Sequence, residues 1–268
     1  MAERRVKNDW EDCQEELDRI AARRKDVSPV TRVVDILPPH LLGKNSAALA
    51  SDDFHAQIEA MQEDARRRDW EQRIQNRIAR TIPKRYQADT VSLDSYECST
   101  SGQERILSAC RSYTRSFHDR MDDGRGLLLY GKPGTGKTHI ACSIAKSIIR
   151  MNFSVRYCSV IEMMRRVKET YRSDSPRTEG QVVQSFIEPD LLVLEEVGVQ
   201  HNSEAERVKM FEVIDGRYNE DKPFILISNY DSREMEKCLT PKVWDRVQER
   251  CVMLSFTWES YRTRRRHG

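Results

Sequence analysis

With 268 residues, 38% of them hydrophobic, the chain has material for one core of ordinary size and an appendage, but not for two large domains. Lys and Arg outnumber Asp and Glu by only two (45 against 43) in a chain that is 33% charged, so no overall field marks a nucleic-acid binder and any basic surface has to be local. The opening stretch "MAERRVKNDW" is charged where a signal peptide would be apolar, and no run is long enough to span a bilayer, so the expectation is a cytoplasmic protein with no membrane partner. Seven cysteines, scattered singly without a CxxC pair, make neither a disulfide framework nor a zinc pattern and read as reduced thiols.

In chain order, Trp10, Cys13, Leu17 and Ile20 fall at helical spacing, which predicts an amphipathic helix over 8–24. Prolines at 29, 38 and 39 mark a loop. A second helix is expected from Ser51, capped by Ser51 or Asp52, with Phe54, Ile58, Met61 and Ala65 as its stripe and Pro83 as its end. Two such narrow faces bury little between them, so residues 1–85 are expected to dock on the rest of the chain, a second copy or a partner. A solvated hairpin is the alternative. From 86 to 268 the pattern changes to short apolar runs at 126–130, 155–159, 191–195, 224–229 and 251–256, alternating with helical segments at 136–150, 160–171, 203–219 and 241–250. That alternation predicts an α/β domain with a central parallel sheet covered on both faces.

Five of the eleven glycines lie between 124 and 136, in "LLLYGKPGTGKTH". "GKPGTGKT" matches the spacing GxxxxGK(S/T) between a strand and a helix, where backbone N–H groups and the helix N-terminus face phosphate oxygens. Gly131, Lys132, Pro133, Gly134, Thr135, Gly136, Lys137, Thr138 and His139 are therefore the expected ATP-binding residues, with Lys137 on the β- and γ-phosphates and the Thr138 hydroxyl on Mg²⁺. "LLVLEE" sets Glu195 and Glu196 at the carboxyl end of a buried strand, the edge at which such sheets collect ligands. "FILISN" ends the next strand in Asn229, a side chain suited to orienting water. Arg246, in "PKVWDRVQER", reads equally as an arginine finger for a neighbouring subunit and as a surface salt bridge.

Together "GKPGTGKT", "LLVLEEVG", "LISN" and "KVWDRV" resemble the AAA+ ATPases. Within them the chain is most similar to the DnaC-type replicative helicase loaders and the related IstB transposition helper, because "IPKRYQADTVSLDSYE" and "FTWESYR" look like the segments that bracket the ATPase domain of that group, over residues 82 to 262. About a dozen residues follow the last predicted strand, too few for the helical lid of most AAA+ proteins; DnaC and IstB are similar in lacking it. The resemblance implies catalytic roles for Glu196, Asn229 and Arg246 and a magnesium site at Thr138 and Glu195. Two positions depart from the pattern: Glu195 stands where it has aspartate, which is expected to slow turnover, and Lys242 where it has a second arginine.

The resemblance also implies a single-stranded DNA channel lined by "SVIEMMRRVKETYRSDSPRTEGQ", with Ile161, Met164, Val167 and Tyr171 toward the core and Arg165, Arg166 and Lys168 projecting as the DNA-binding face; without it, a solvated basic face is the plainer reading. The function implied is a loader whose ATP-bound subunits form an open spiral and hold a hexameric, DnaB-type replicative helicase, gripped through Trp10, Leu17 and Ile20, open for single-stranded DNA in replication initiation. An IstB-like transposition helper, and an adaptor that uses ATP as an assembly switch with little hydrolysis, are the alternatives.

Overall fold

The structure, a computed structural model, describes residues 52–198, 204–261 and 263. The chain divides into two compact units, 1–76 and 77–268. The helix expected at 8–24, and with it Trp10, Leu17 and Ile20, lies outside the described residues, as do the side chains of Phe54 and Ile58. Helix α1 (Asp52–Thr81) forms as expected and stops two residues short of Pro83. Of its expected stripe, Met61 and Ala65 are exposed.

After the end of α1 and a 3-10 turn at Lys84–Tyr86, the second unit adds two helices the apolar alternation does not announce, α2 (Ser101–Arg115) and α3 (Phe117–Asp123). The sheet then builds as β1 (Gly126–Gly131), α4 (Lys137–Arg150), β2 (Val155–Ser159), α5 (Val160–Glu169), α6 (Glu179–Ile187), β3 (Leu191–Glu195), α7 (Glu204–Asn219), β4 (Phe224–Ser228), α8 (Ser232–Cys238), α9 (Pro241–Arg250) and β5 (Cys251–Phe256). All five strands are parallel in the order β2-β3-β4-β1-β5, with Leu128 opposite Leu226 on one side and Met253 on the other. Leu127 to Leu129, Leu191 to Leu194 and Phe224 to Leu226 are all sealed from solvent, which a central parallel strand with helices on both faces requires and which explains their unbroken apolar runs.

Helix α5 departs from expectation on one face. Its buried stripe is Val160, Met163, Met164 and Val167, whereas Ile161 is 52% and Tyr171 64% exposed. The i, i+3, i+4, i+7 row starts at Val160, because Ser159 caps the helix directly at the end of β2; Ile161 then lies about 100° round the axis, and Tyr171 falls past the helix end.

The starts of β3 and β4 are tied together by one side chain. Arg217 on α7 is 0% exposed, and its guanidinium donates to five carbonyls: Phe186 (3.1 Å), Ile187 (2.8 Å), Pro189 (2.8 Å), Asp190 (3.0 Å) and Pro223 (2.6 Å). The first two close α6, where helix carbonyls lack intrahelical partners and where the helix dipole favours a cation. Burial lowers the Arg217 pKa from the ordinary arginine value, with Tyr113, Asp190 and Glu220 opposing.

Candidate active site

At the carboxyl edge of the sheet lies a cavity of about 890 Å³ whose lining includes Gly134 to His139, Glu195, Glu196 and Asn229. Chain topology brings them there: β1, β3 and β4 are adjacent and parallel, so the segments that leave them all open on the same edge.

The glycine turn runs from β1 into the N-terminus of α4. Gly134 (φ 76°) and Gly136 (φ 96°) both adopt left-handed backbone, and a Cβ at either would meet a neighbour, Ser260 Oγ at 2.1 Å or Tyr96 Cε2 at 2.5 Å. Only glycine gives a turn this tight against those side chains. Lys137 is buried, its ammonium donating to the carbonyls of Gly131 and Lys132, both at 2.7 Å. Burial pushes its pKa down to about 8, against the opposing pull of Glu195. Gly131 and Lys132 thus form the base of the turn, and the Thr135 hydroxyl also returns to the Lys132 carbonyl (2.8 Å). His139 lines the cavity with its Nε2 at 2.9 Å from the Ser92 carbonyl and its ring edge-on to Tyr96.

The Thr138 hydroxyl donates to Glu195 Oε1 at 2.5 Å, so the longer arm of glutamate does reach the end of the glycine turn. Hydroxyl and carboxylate oxygens side by side are hard donors of the kind Mg²⁺ takes, and the inward-turned backbone beside a desolvated ammonium suits phosphate; the residues fit both groups. Glu196, one residue past β3, has φ 60°, a conformation that costs a non-glycine residue about 1–3 kcal/mol and persists only where its surroundings enforce it. Asn229 is exposed at the exit of β4.

Three lining groups come from the bracketing segments, to which the sequence assigned no role at the site. The Tyr96 hydroxyl (2.8 Å) and the Trp258 indole N–H (3.0 Å) both donate to the Thr135 carbonyl, and the Tyr261 amide donates to the Gly134 carbonyl (3.0 Å). The glycine turn is therefore held from both sides by the two bracketing segments. Tyr157, on β2 opposite Val193, sets a buried hydroxyl beside Cys142 and Glu195; burial first, and those two acids next, raise its pKa and keep it protonated.

Other expected residues lie away from the cavity. On α9, Arg246 forms an ion pair with Asp215 of α7 and stacks 5.1 Å from the ring centres of both Phe211 and Tyr218, with Lys242 over Phe211 at 5.7 Å. Within one subunit it therefore sits in the salt bridge that the sequence allows. On α5, Arg165 and Lys168 are exposed and about 60° apart round the axis, whereas Arg166 is drawn back onto Glu162 (2.6 Å). Among the described residues no His, Cys, Asp and Glu group forms a further metal cluster, and no helix is long and apolar enough to cross a membrane.

A five-stranded parallel sheet of this order, with a phosphate cradle after β1 and acids after β3, defines an α/β P-loop ATPase domain of the AAA+ class. More narrowly, the chain belongs to the family of IstB-like ATP binding proteins, which it matches over residues 43–268. It is 33% identical over 174 residues to the replicative helicase loader DnaC of Escherichia coli, covering 65% of this chain and 69% of that one. Among solved structures, the crystal structure of the DnaC helicase loader superposes with a TM-score of 0.57 at 23% identity, over 65% of this chain and 99% of that one. AMPPCP-bound DnaA from Aquifex aeolicus gives 0.55 at 17%, over 65% and 53%. These two likenesses show a shared fold.

Proposed function

We propose that this protein is an ATP-hydrolysing loader of a hexameric, DnaB-type replicative helicase onto single-stranded DNA in replication initiation. The observation that carries the reading is the cavity in which Lys137, Thr138, Glu195, Glu196 and Asn229 meet, in a chain related to proteins named replicative helicase loader DnaC. Gly131 to Gly136 wrap the phosphates, Lys137 neutralises the β- and γ-phosphates, and His139 supports the turn. Thr138 and Glu195 hold Mg²⁺, which when bound offsets charge on the phosphate oxygens. Glu196 takes the proton of the attacking water and Asn229 orients that water toward the γ-phosphate.

Arg246 serves as the finger in a spiral of ATP-bound copies, which requires it to leave Asp215 and its two aromatic neighbours for the next subunit's nucleotide. Arg165 and Lys168, with Arg166 once freed from Glu162, contact DNA phosphates. Residues 1–85 form the helicase grip with Trp10, Leu17 and Ile20 as anchors, and 86–268 the ATPase domain, working in the cytoplasm.

The test combines two measurements on the full chain: steady-state ATP hydrolysis with and without single-stranded DNA, and co-purification with DnaB-type hexamers. Hydrolysis that Lys137→Ala abolishes, with helicase capture that deleting residues 1–79 abolishes, is expected. A chain that hydrolyses ATP but captures no helicase, and instead binds double-stranded DNA with a transposase, overturns the loader reading. One observation favours slow turnover: Glu195 already reaches the Thr138 hydroxyl, leaving its carboxylate tight against the turn.

A further inference from the structure

Glu195 ends β3 and Glu196 opens the turn after it, while Asn229 directly follows β4. Backbone pairing between β3 and β4 runs only as far as Leu194 opposite Leu226. Beyond it, a side chain joins one last backbone hydrogen bond in continuing the connection. Ser228, 1% exposed at the end of β4, donates its hydroxyl proton to the Val197 carbonyl at 2.7 Å and accepts the Tyr230 amide proton at 3.1 Å. Its own backbone lies opposite Tyr130 of β1, one residue before Gly131.

Two further contacts seal the same junction. The Val197 amide donates to the Ile227 carbonyl at 3.0 Å. The Tyr230 ring lies so close over Gly198 that a Cβ there would come within 2.6 Å of it. Glu196, in left-handed backbone, sits immediately before this clamp. Such a conformation survives only where neighbours enforce it, and the Ser228 hydroxyl supplies a side-chain hydrogen bond to the residue directly after Glu196.

We propose that Ser228 is a positioning residue that locks the exit of β3, bearing Glu195 and Glu196, to the exit of β4, bearing Asn229, so that the two move as one body against the glycine turn. The inference deepens the proposed ATPase reading and rests on it for the roles of Glu196 and Asn229. A hydroxyl is suited to the task because it donates and accepts at once, satisfying a carbonyl of one strand exit and an amide of the other. Alanine at 228 would leave both backbone groups unpaired; threonine would keep the hydroxyl.

The test compares the parent with Ser228→Ala, Ser228→Thr, Asn229→Ala and the double variant Ser228→Ala/Asn229→Ala. Affinity for a slowly hydrolysed ATP analogue, steady-state hydrolysis and amide exchange at Val197 are the readouts. Ser228→Ala should bind the analogue within about two-fold of the parent yet hydrolyse ATP at least about ten-fold more slowly, a loss of about 1.4 kcal/mol in transition-state stabilisation. Ser228→Thr should recover the rate to within about three-fold, and the double variant should be no slower than the slower single one. The analogue should slow exchange at Val197 in the parent and not in Ser228→Ala. A rate within two-fold of the parent, equal losses of affinity and rate, or multiplying single effects would each overturn the proposal. If the parent does not hydrolyse ATP, the ATPase reading fails, and exchange at Val197 alone decides whether Ser228 couples the two strand exits.

Discussion

Arg217 offers the most direct check on how the site is held in place, because it reaches no nucleotide group and acts only through the backbone at the starts of β3 and β4. Arg217→Met keeps the length and the apolar stem but removes the fork. The carbonyls of Phe186, Ile187 and Pro223 then lose donors in a buried setting. At about 1–3 kcal/mol for each orphaned group the loss is about 3–9 kcal/mol. Relief from burying a cation returns several kcal/mol, leaving a net destabilisation of about 3–5 kcal/mol. For a unit of this size each kcal/mol corresponds to about 2–4 °C, so the melting temperature should fall by about 6–20 °C in a thermal scan followed by circular dichroism. Arg217→Lys should fall between parent and methionine, since an ammonium cannot span five carbonyls in two directions. A methionine variant melting within 2 °C of the parent would refute the reasoning and make the buried guanidinium incidental to the fold.

Three further outcomes are expected. Glu195→Asp draws the carboxylate back from Thr138 by about one bond length, roughly 1.5 Å, and should raise steady-state hydrolysis without changing analogue affinity; an unchanged or lower rate means the site is built around glutamate. Lys137, with its pKa near 8, is increasingly neutral above that pH in the free protein, while bound phosphate favours its cation, so ATP affinity should fall as pH rises from 8 to 10. The unfolded chain holds this proton up to about pH 10.4, so over the same window the Lys137 contribution to the stability of the free fold rises with pH. Calorimetric titrations at pH 7, 8 and 9 giving one affinity would contradict this. Trp258→Phe removes one of two donors from the Thr135 carbonyl and should weaken analogue binding by about 0.5–1.5 kcal/mol, and combining it with Tyr96→Phe should cost more than the sum; a neutral double variant would show that the turn holds itself.

What the sequence made legible follows from range. Strands β1, β3 and β4 stand out because they are sealed on both faces and so read as unbroken apolar runs, whereas the edge strands β2 and β5 keep Arg156, Ser159 and Ser255 among half-buried positions and are legible only by their place in the alternation. The glycine turn, the acid pair and Asn229 stand out because each motif is contiguous and leaves a parallel strand at the same edge. Helices α2, α6 and α8 were there to be found by their caps rather than by alternation: Thr100 with Gln103, Thr178 with Gln181 and Asp231 with Glu234 are all spaced as capping boxes. Tyr96 and Trp258 meet Thr135 across 39 and 123 positions, and the Asp215 partner of Arg246 lies on another helix; no local period encodes contacts of that kind.

The placement of β1 has a consequence for how the molecule is made. Its Gly126–Gly131 segment needs β4 on one side and β5 on the other, and β5 is the last strand of the sheet. At ordinary translation rates the roughly 125 positions between the starts of β1 and β5 take about 6–25 s to synthesise, and throughout that interval an apolar strand and the glycine turn leave the ribosome without their flanking partner. Trp258 and Tyr261, which brace the turn, come later still. On the proposed reading, a nascent chain can therefore gain nothing from ATP until β5 and Trp258 have been made, and until then the exposed edge of β1 suits chaperones that mask bare strand edges.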